Sequence, residues 1–118
     1  MRIDLNNYRL TGRLLLGDNL KLLFQNGQDE DDKKILELNS IVGFFDHLDK
    51  NDNLKYLEVR DPGGPYIADL SMRLKKPEVI DNKEVFIFLD DKGVDFGFRC
   101  SVDKVNFRDW TDNDKWLR

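Results

Sequence analysis

The chain has 118 residues, 40% apolar and 36% charged, with 23 acidic against 19 basic residues and a net charge of −4. That length fits one domain over residues 1–118, large enough to bury about 65% of its unfolded surface without help from disulfides or a metal. The acidic balance opposes non-specific nucleic-acid binding, which draws on Lys and Arg neutralising phosphates.

The single cysteine, Cys100, excludes an internal disulfide. Met1-Arg2-Ile3-Asp4 places a carboxylate where a signal peptide needs an apolar run. The longest apolar run, Val85-Phe86-Ile87-Phe88-Leu89, is far shorter than a membrane span. These features predict a cytoplasmic, reducing environment and no membrane association.

In chain order, Tyr8, Leu10, Gly12, Leu14 and Leu16 fall on one face of a predicted strand, with Arg9, Thr11 and Arg13 opposite. Gly17-Asp18-Asn19 is a turn cluster, and Leu20, Leu22 and Phe24 return in register. Residues 28–32 form a hydrophilic loop, followed by a short strand over residues 33–38. Ile41, Val42, Phe45 and Leu48 follow a helical spacing behind Ser40 as a candidate N-cap, but Gly43 weakens that helix by ~1 kcal/mol. A strand or bent strand is preferred there, ending at the turn Asp49-Lys50-Asn51-Asp52-Asn53.

Residues 54–60 read as a strand, and Asp61-Pro62-Gly63-Gly64 has the type II turn signature. Tyr66, Ala68, Leu70, Met72 and Leu74 alternate in the next predicted strand, which Lys75-Lys76-Pro77 ends. The run from Val85 to Leu89 is apolar on both faces, as in a strand covered on both sides. Asp90-Asp91-Lys92-Gly93 is a bulged hairpin turn. It leads to Val94, Phe96, Phe98, Cys100 and Val102 on one strand face. Residues 107–118, with Trp110 and Trp116, are expected to pack across the end of the domain. The pattern predicts a mainly β, antiparallel sandwich or open barrel of about seven strands, with at most one short helix. An α+β fold is the alternative.

No set of residues assembles a recognisable catalytic motif, so the chain reads as a non-enzyme without cofactor or metal. His47 is the only histidine, and Cys100 sits on the apolar phase of its strand, where a thiol packs as a small hydrophobe. Asp49, Asn51 and Asn53 match the first places of an EF-hand loop, but Leu54 and Arg60 stand where Gly and Glu are required. Gly63-Gly64 lacks the Gly-Lys-Ser/Thr of a phosphate loop. The pairs Asp31-Asp32 and Asp90-Asp91 read as solvated loop charge. Arg9, Thr11 and Arg13 read as an ordinary solvent face rather than a surface for single-stranded nucleic acid.

Arg9-x-x-x-Arg13 with Asp69-x-Ser71 is similar to the cyclic-dinucleotide motif of the PilZ domains, which are small β-barrels. Leu74 stands at the motif's final Gly, and some sixty residues separate the two halves. The resemblance implies a ligand-binding barrel, kept as the alternative function. The leading expectation is a small acidic protein-binding module, such as an inhibitor or immunity protein that neutralises a toxin or enzyme. Its partner would be another protein with a basic surface, since opposite charge steers association. The expected contact residues are Asp29, Glu30, Asp31 and Asp32, then Asp46, Asp49 and Asp52, and finally Trp110, Asp112, Asp114 and Trp116.

Overall fold

Strands that alternate with period two need a sheet with one dry face, and the chain builds a single sheet of this kind. The computed structural model describes residues 1–61 and 83–115. Its strands are β1 (Arg2–Asp4), β2 (Tyr8–Leu16), β3 (Asn19–Asn26), β4 (Lys33–Asp46), β5 (Tyr56–Arg60), β6 (Lys83–Phe88) and β7 (Phe96–Asp109). They pair in the order β1-β5-β6-β7-β4-β3-β2, every neighbour antiparallel. The predicted strand over residues 66–74, its preceding Pro-Gly turn and Trp116 lie outside the described residues.

That order forces curvature. β1 and β2 are the two outer strands of the sheet, yet only residues 5–7 join them. Laid flat, seven strands about 4.8 Å apart would hold their edges about 29 Å from one another. The step from Asp4 to Tyr8 spans at most about 14 Å of extended chain. The sheet therefore rolls into an open barrel, and the expected architecture resolves to that form rather than to two stacked sheets. Its interior is one apolar cluster that includes Leu10, Leu22, Phe24, Leu57, Ile87 and Phe98. Leu5, in the connector itself, is completely buried there. Arg13 of β2 adds a tie across the roll, donating to the Asp46 carboxylate from Nε at 2.7 Å and from Nη2 at 3.0 Å. The same guanidinium reaches the Leu48 carbonyl oxygen.

Among the described residues three β-bulges adjust the strands to this curve, and two of them move a sequence-derived face. In β2, Leu10 pairs with Phe24 and Gly12 with Leu23, so Thr11 is the extra residue. A one-residue insertion exchanges the faces beyond it. Leu14 consequently packs with Leu23, Ile35 and Trp110 on the outer side instead of continuing the Leu10 face. In β7, Gly97 is the extra residue opposite the Ile87–Phe88 step. Phe96 thus packs edge-on against Phe86 and Phe88 on the outer side, contrary to the alternation, and Val94 is 75% exposed in the turn.

The third bulge is at Val42 in β4. The short strand and bent segment expected over residues 33–48 are one 14-residue strand, bent next to Ser40, whose φ is 59°. At the bend, the Ser40 amide donates to Asn19 Oδ1 and the Ile41 amide to the Asp18 carbonyl oxygen. The only helical element among the described residues is the 3-10 turn Asp112–Asp114, and Phe107 belongs to β7.

The hairpin of β6 and β7 forms at the expected turn, and the expected alternation holds from Phe98 to Val102. Gly93 takes φ 72°, and Phe86 and Phe88 are buried on the outer face while Val85 and Ile87 enter the core. On that outer face the Glu84 and Arg99 side chains, 2% and 5% exposed, form an ion pair at 2.8 Å. The polar phase of β7 is thus buried in part.

Closure by residues 5–7 carries a stability consequence. We expect Leu5→Ala to destabilise the fold by about 2–4 kcal/mol, as for other fully buried leucines. Urea unfolding measures it. A loss below about 0.5 kcal/mol, normal for a surface loop, would show that the connector does not pin the barrel.

Candidate functional site

The connector that closes the barrel also forms the floor of a cleft. Leu5 donates its amide to the Lys55 carbonyl oxygen at 2.9 Å, and the Tyr8 amide returns to the Leu5 carbonyl oxygen at 3.0 Å. Asn7 turns the chain with φ 72°, a left-handed conformation that asparagine tolerates better than most residues. Its carbonyl oxygen accepts the Gly27 amide at 2.8 Å, drawing the β3–β4 loop to the connector. From the other side, the Lys55 amide donates to the Phe88 carbonyl oxygen, which fixes the end of the 49–53 turn.

These three segments enclose a cleft of about 350 Å³. Asn6, Asn7, Tyr8 and Arg9 line it from the connector and β2, Gly27 and Gln28 from one loop, and Asn53, Leu54 and Lys55 from the other. No carboxylate of the described residues lines it. Two acidic turns flank it: residues 29–32 follow Gln28, and residues 49–52 precede Asn53. Both turns are held by their own side chains. Asp29 Oδ1 accepts the Asp31 amide at 3.1 Å, Asp49 Oδ1 the Asn51 amide at 3.2 Å, and Asp52 Oδ2 the Asp49 amide at 2.7 Å.

Asp32 faces inward at this end. It accepts the Tyr8 hydroxyl and the Asn26 side-chain amide, and these bonds lower its pKa. Burial, reinforced by the same carboxylate, raises that of Tyr8. Asp29, Glu30, Asp31 and Asp49 are exposed.

The remaining expected contact residues lie elsewhere or are engaged within the chain. Asp46 is tied to Arg13. Trp110 packs on Leu23 and Ile35, with Lys33 Nζ 4.8 Å from its ring centroid. Asp112 is exposed, whereas Asp114 is 3% exposed. Arg108 donates two hydrogen bonds to the Asp114 carboxylate, at 2.7 and 2.8 Å, and the Thr111 amide adds a third at 2.9 Å. The Arg108 bonds above all hold the Asp114 carboxyl far below the usual range.

Cys100 is fully buried, and burial pushes its thiol pKa well up, away from the nucleophilic thiolate form. His47 is exposed. Asp90 caps its turn, accepting the amides of Lys92, Val94 and Asp95, and bonding of this kind lowers its pKa. Among the described residues no three His, Cys, Asp or Glu side chains gather as a metal cluster, and no helix is long and apolar enough to cross a membrane. Arg9 and Arg13 are separated in role: the first lines the cleft and the second ties β2 to β4.

Sequence reasoning missed Asn6, Asn7, Gln28 and Lys55 as members of a site. Asparagine and glutamine beside turns carry no signal beyond the turn itself, and only the pairing of β1 with β5 brings Lys55 to Asn6.

The Arg108–Asp114 pair predicts a pH dependence. A carboxyl held below its unfolded value stabilises the fold above about pH 4, and that contribution disappears as pH falls towards the folded pKa. Asp114→Asn should remove about 1–3 kcal/mol at pH 7. The difference from the unsubstituted protein should narrow near pH 3, read by urea unfolding at both pH values. An undiminished difference in acid would mean that Asp114 acts through shape rather than charge. No protein-family model matches this chain, and neither a curated protein nor a solved structure matches it.

Proposed function

We propose that the chain is a non-enzymatic protein-binding module of the cytoplasm that presents an acidic end to a basic partner, as an inhibitor or immunity protein does to a toxin or enzyme. The observation that supports this reading best is the convergence of the two acidic turns on one cleft. Asp29, Glu30 and Asp31 flank one side and Asp49 and Asp52 the other. Their backbones are already fixed by internal hydrogen bonds, so little ordering remains to oppose association. Exposed charge at such a rim accelerates encounter more than it strengthens the final complex. Asp46, Asp114 and Trp110, already engaged within the chain, support the scaffold in this reading, while Asp112 is an exposed carboxylate.

The test starts by capturing the partner from native extract and then compares association rates. Asp29→Asn, Glu30→Gln and Asp31→Asn in one protein should slow association about tenfold at low salt, with dissociation little changed. Raising salt should bring the two proteins together. Equal association rates at low salt, or rates indifferent to salt, would reject the acidic rim as the contact surface.

A further inference from the structure

The cleft between those turns has a character opposite to its rim. Arg9 and Lys55 both line it, with the carboxamides of Asn6, Asn7, Gln28 and Asn53. Other arginines of the barrel are engaged with carboxylates: Arg13 with Asp46, Arg60 with Glu58, Arg99 with Glu84, and Arg108 with Glu37 and Asp114. Arg2 lies 3.6 Å over the Tyr56 ring. The Arg9 guanidinium and the Lys55 ammonium have neither a hydrogen bond nor an ion pair among the described residues. The carboxamides in the lining are likewise uncommitted there. The cleft thus holds two cations and several neutral donors, while Asp32 accepts the Tyr8 hydroxyl and the Asn26 side-chain amide, and Asp29 and Asp49 accept amides of their own turns.

We propose that this cleft is a binding site for a small polar molecule bearing an oxyanion, a phosphate or a carboxylate, with the anion between Arg9 and Lys55. The Arg9 fork and the Lys55 ammonium supply charge-assisted hydrogen bonds to the anion. Asn6, Asn7, Gln28 and Asn53 offer both donors and acceptors to the hydroxyls of the remainder. The volume, about 350 Å³, suits a ligand of the size of a sugar phosphate or sugar acid. This proposal is independent of the protein-binding reading, because it concerns the floor of the cleft and not the charged rim.

Backbone amide NMR shifts of the full chain test it, titrated separately with inorganic phosphate, glucose 6-phosphate, glucuronate and glucose. At least one anionic probe should give saturable shifts at residues 6–9, 27–28 and 53–55. Whether the phosphates or glucuronate bind more tightly identifies the anion. Arg9→Gln and Lys55→Gln should each weaken that binding by about tenfold or more. Neither side chain has a hydrogen-bond or ion-pair partner to lose among the described residues, so thermal unfolding of both variants should match the unsubstituted protein. Equal binding of glucose, no saturable response to any anionic probe, or binding unchanged in both variants would overturn the proposal.

Discussion

The rest of the structure depends on a three-residue constraint. Residues 5–7 must connect strands that lie at opposite edges of a seven-stranded sheet. Once that link is made, the sheet curls, its inner side chains meet as one cluster, and the unpaired edges are drawn towards one another. Exposed strand edges invite pairing with other chains, and curling a sheet towards closure is one of the ways proteins limit that hazard. The link also explains a local oddity. A chain leaving β1 and entering β2 at the far edge must reverse tightly, and Asn7 supplies the left-handed residue while its carbonyl oxygen anchors Gly27. The cleft is therefore a by-product of closure, built from the backbone that makes the barrel possible.

Charge is distributed over this frame in two ways. Asp46, Asp114 and Glu84 face arginines from other positions in the chain, and each of these pairs joins segments that the sheet alone leaves separate or only adjacent. The Glu84–Arg99 pair is almost wholly buried. Removing either partner of such a pair is damaging, although the intact pair adds little net stability over apolar side chains. The Asp29, Asp49 and Asp90 carboxylates instead cap the backbone of their own turns, holding loops in one shape at the surface.

Where two sequence signals agreed, the fold was legible. The β6–β7 hairpin joins an apolar run to an alternating strand through a glycine turn, and both strands and the positive φ of Gly93 follow from that. Burial of Cys100 came from the same alternation. Alternation failed where a bulge intervened. Thr11 and Gly97 resemble ordinary strand residues, and a single extra residue reverses every face beyond it. β1 escaped notice because three residues are too short to show any period. The expected acidic contacts divided for another reason: an aspartate in a loop reads alike whether it meets solvent or, as Asp114 does, a distant arginine.

Net charge describes a molecule at long range and says little about a cleft. At physiological ionic strength the field of an exposed charge fades over about 8 Å. An approaching macromolecule senses the acidic rim first, whereas a small ligand within the cleft is governed by groups in direct contact. Among the described residues those groups include Arg9, Lys55 and the carboxamides, with no carboxylate among them. The Asp29, Asp49 and Asp52 carboxylates, bonded to amides of neighbouring turn residues, also hold their oxygens in the turns rather than turning them inward. An acidic chain can therefore keep a cationic floor, because closure of the barrel brings Lys55 of one loop beside the connector from which Arg9 follows. Such an arrangement depends on topology, and composition contains no trace of it.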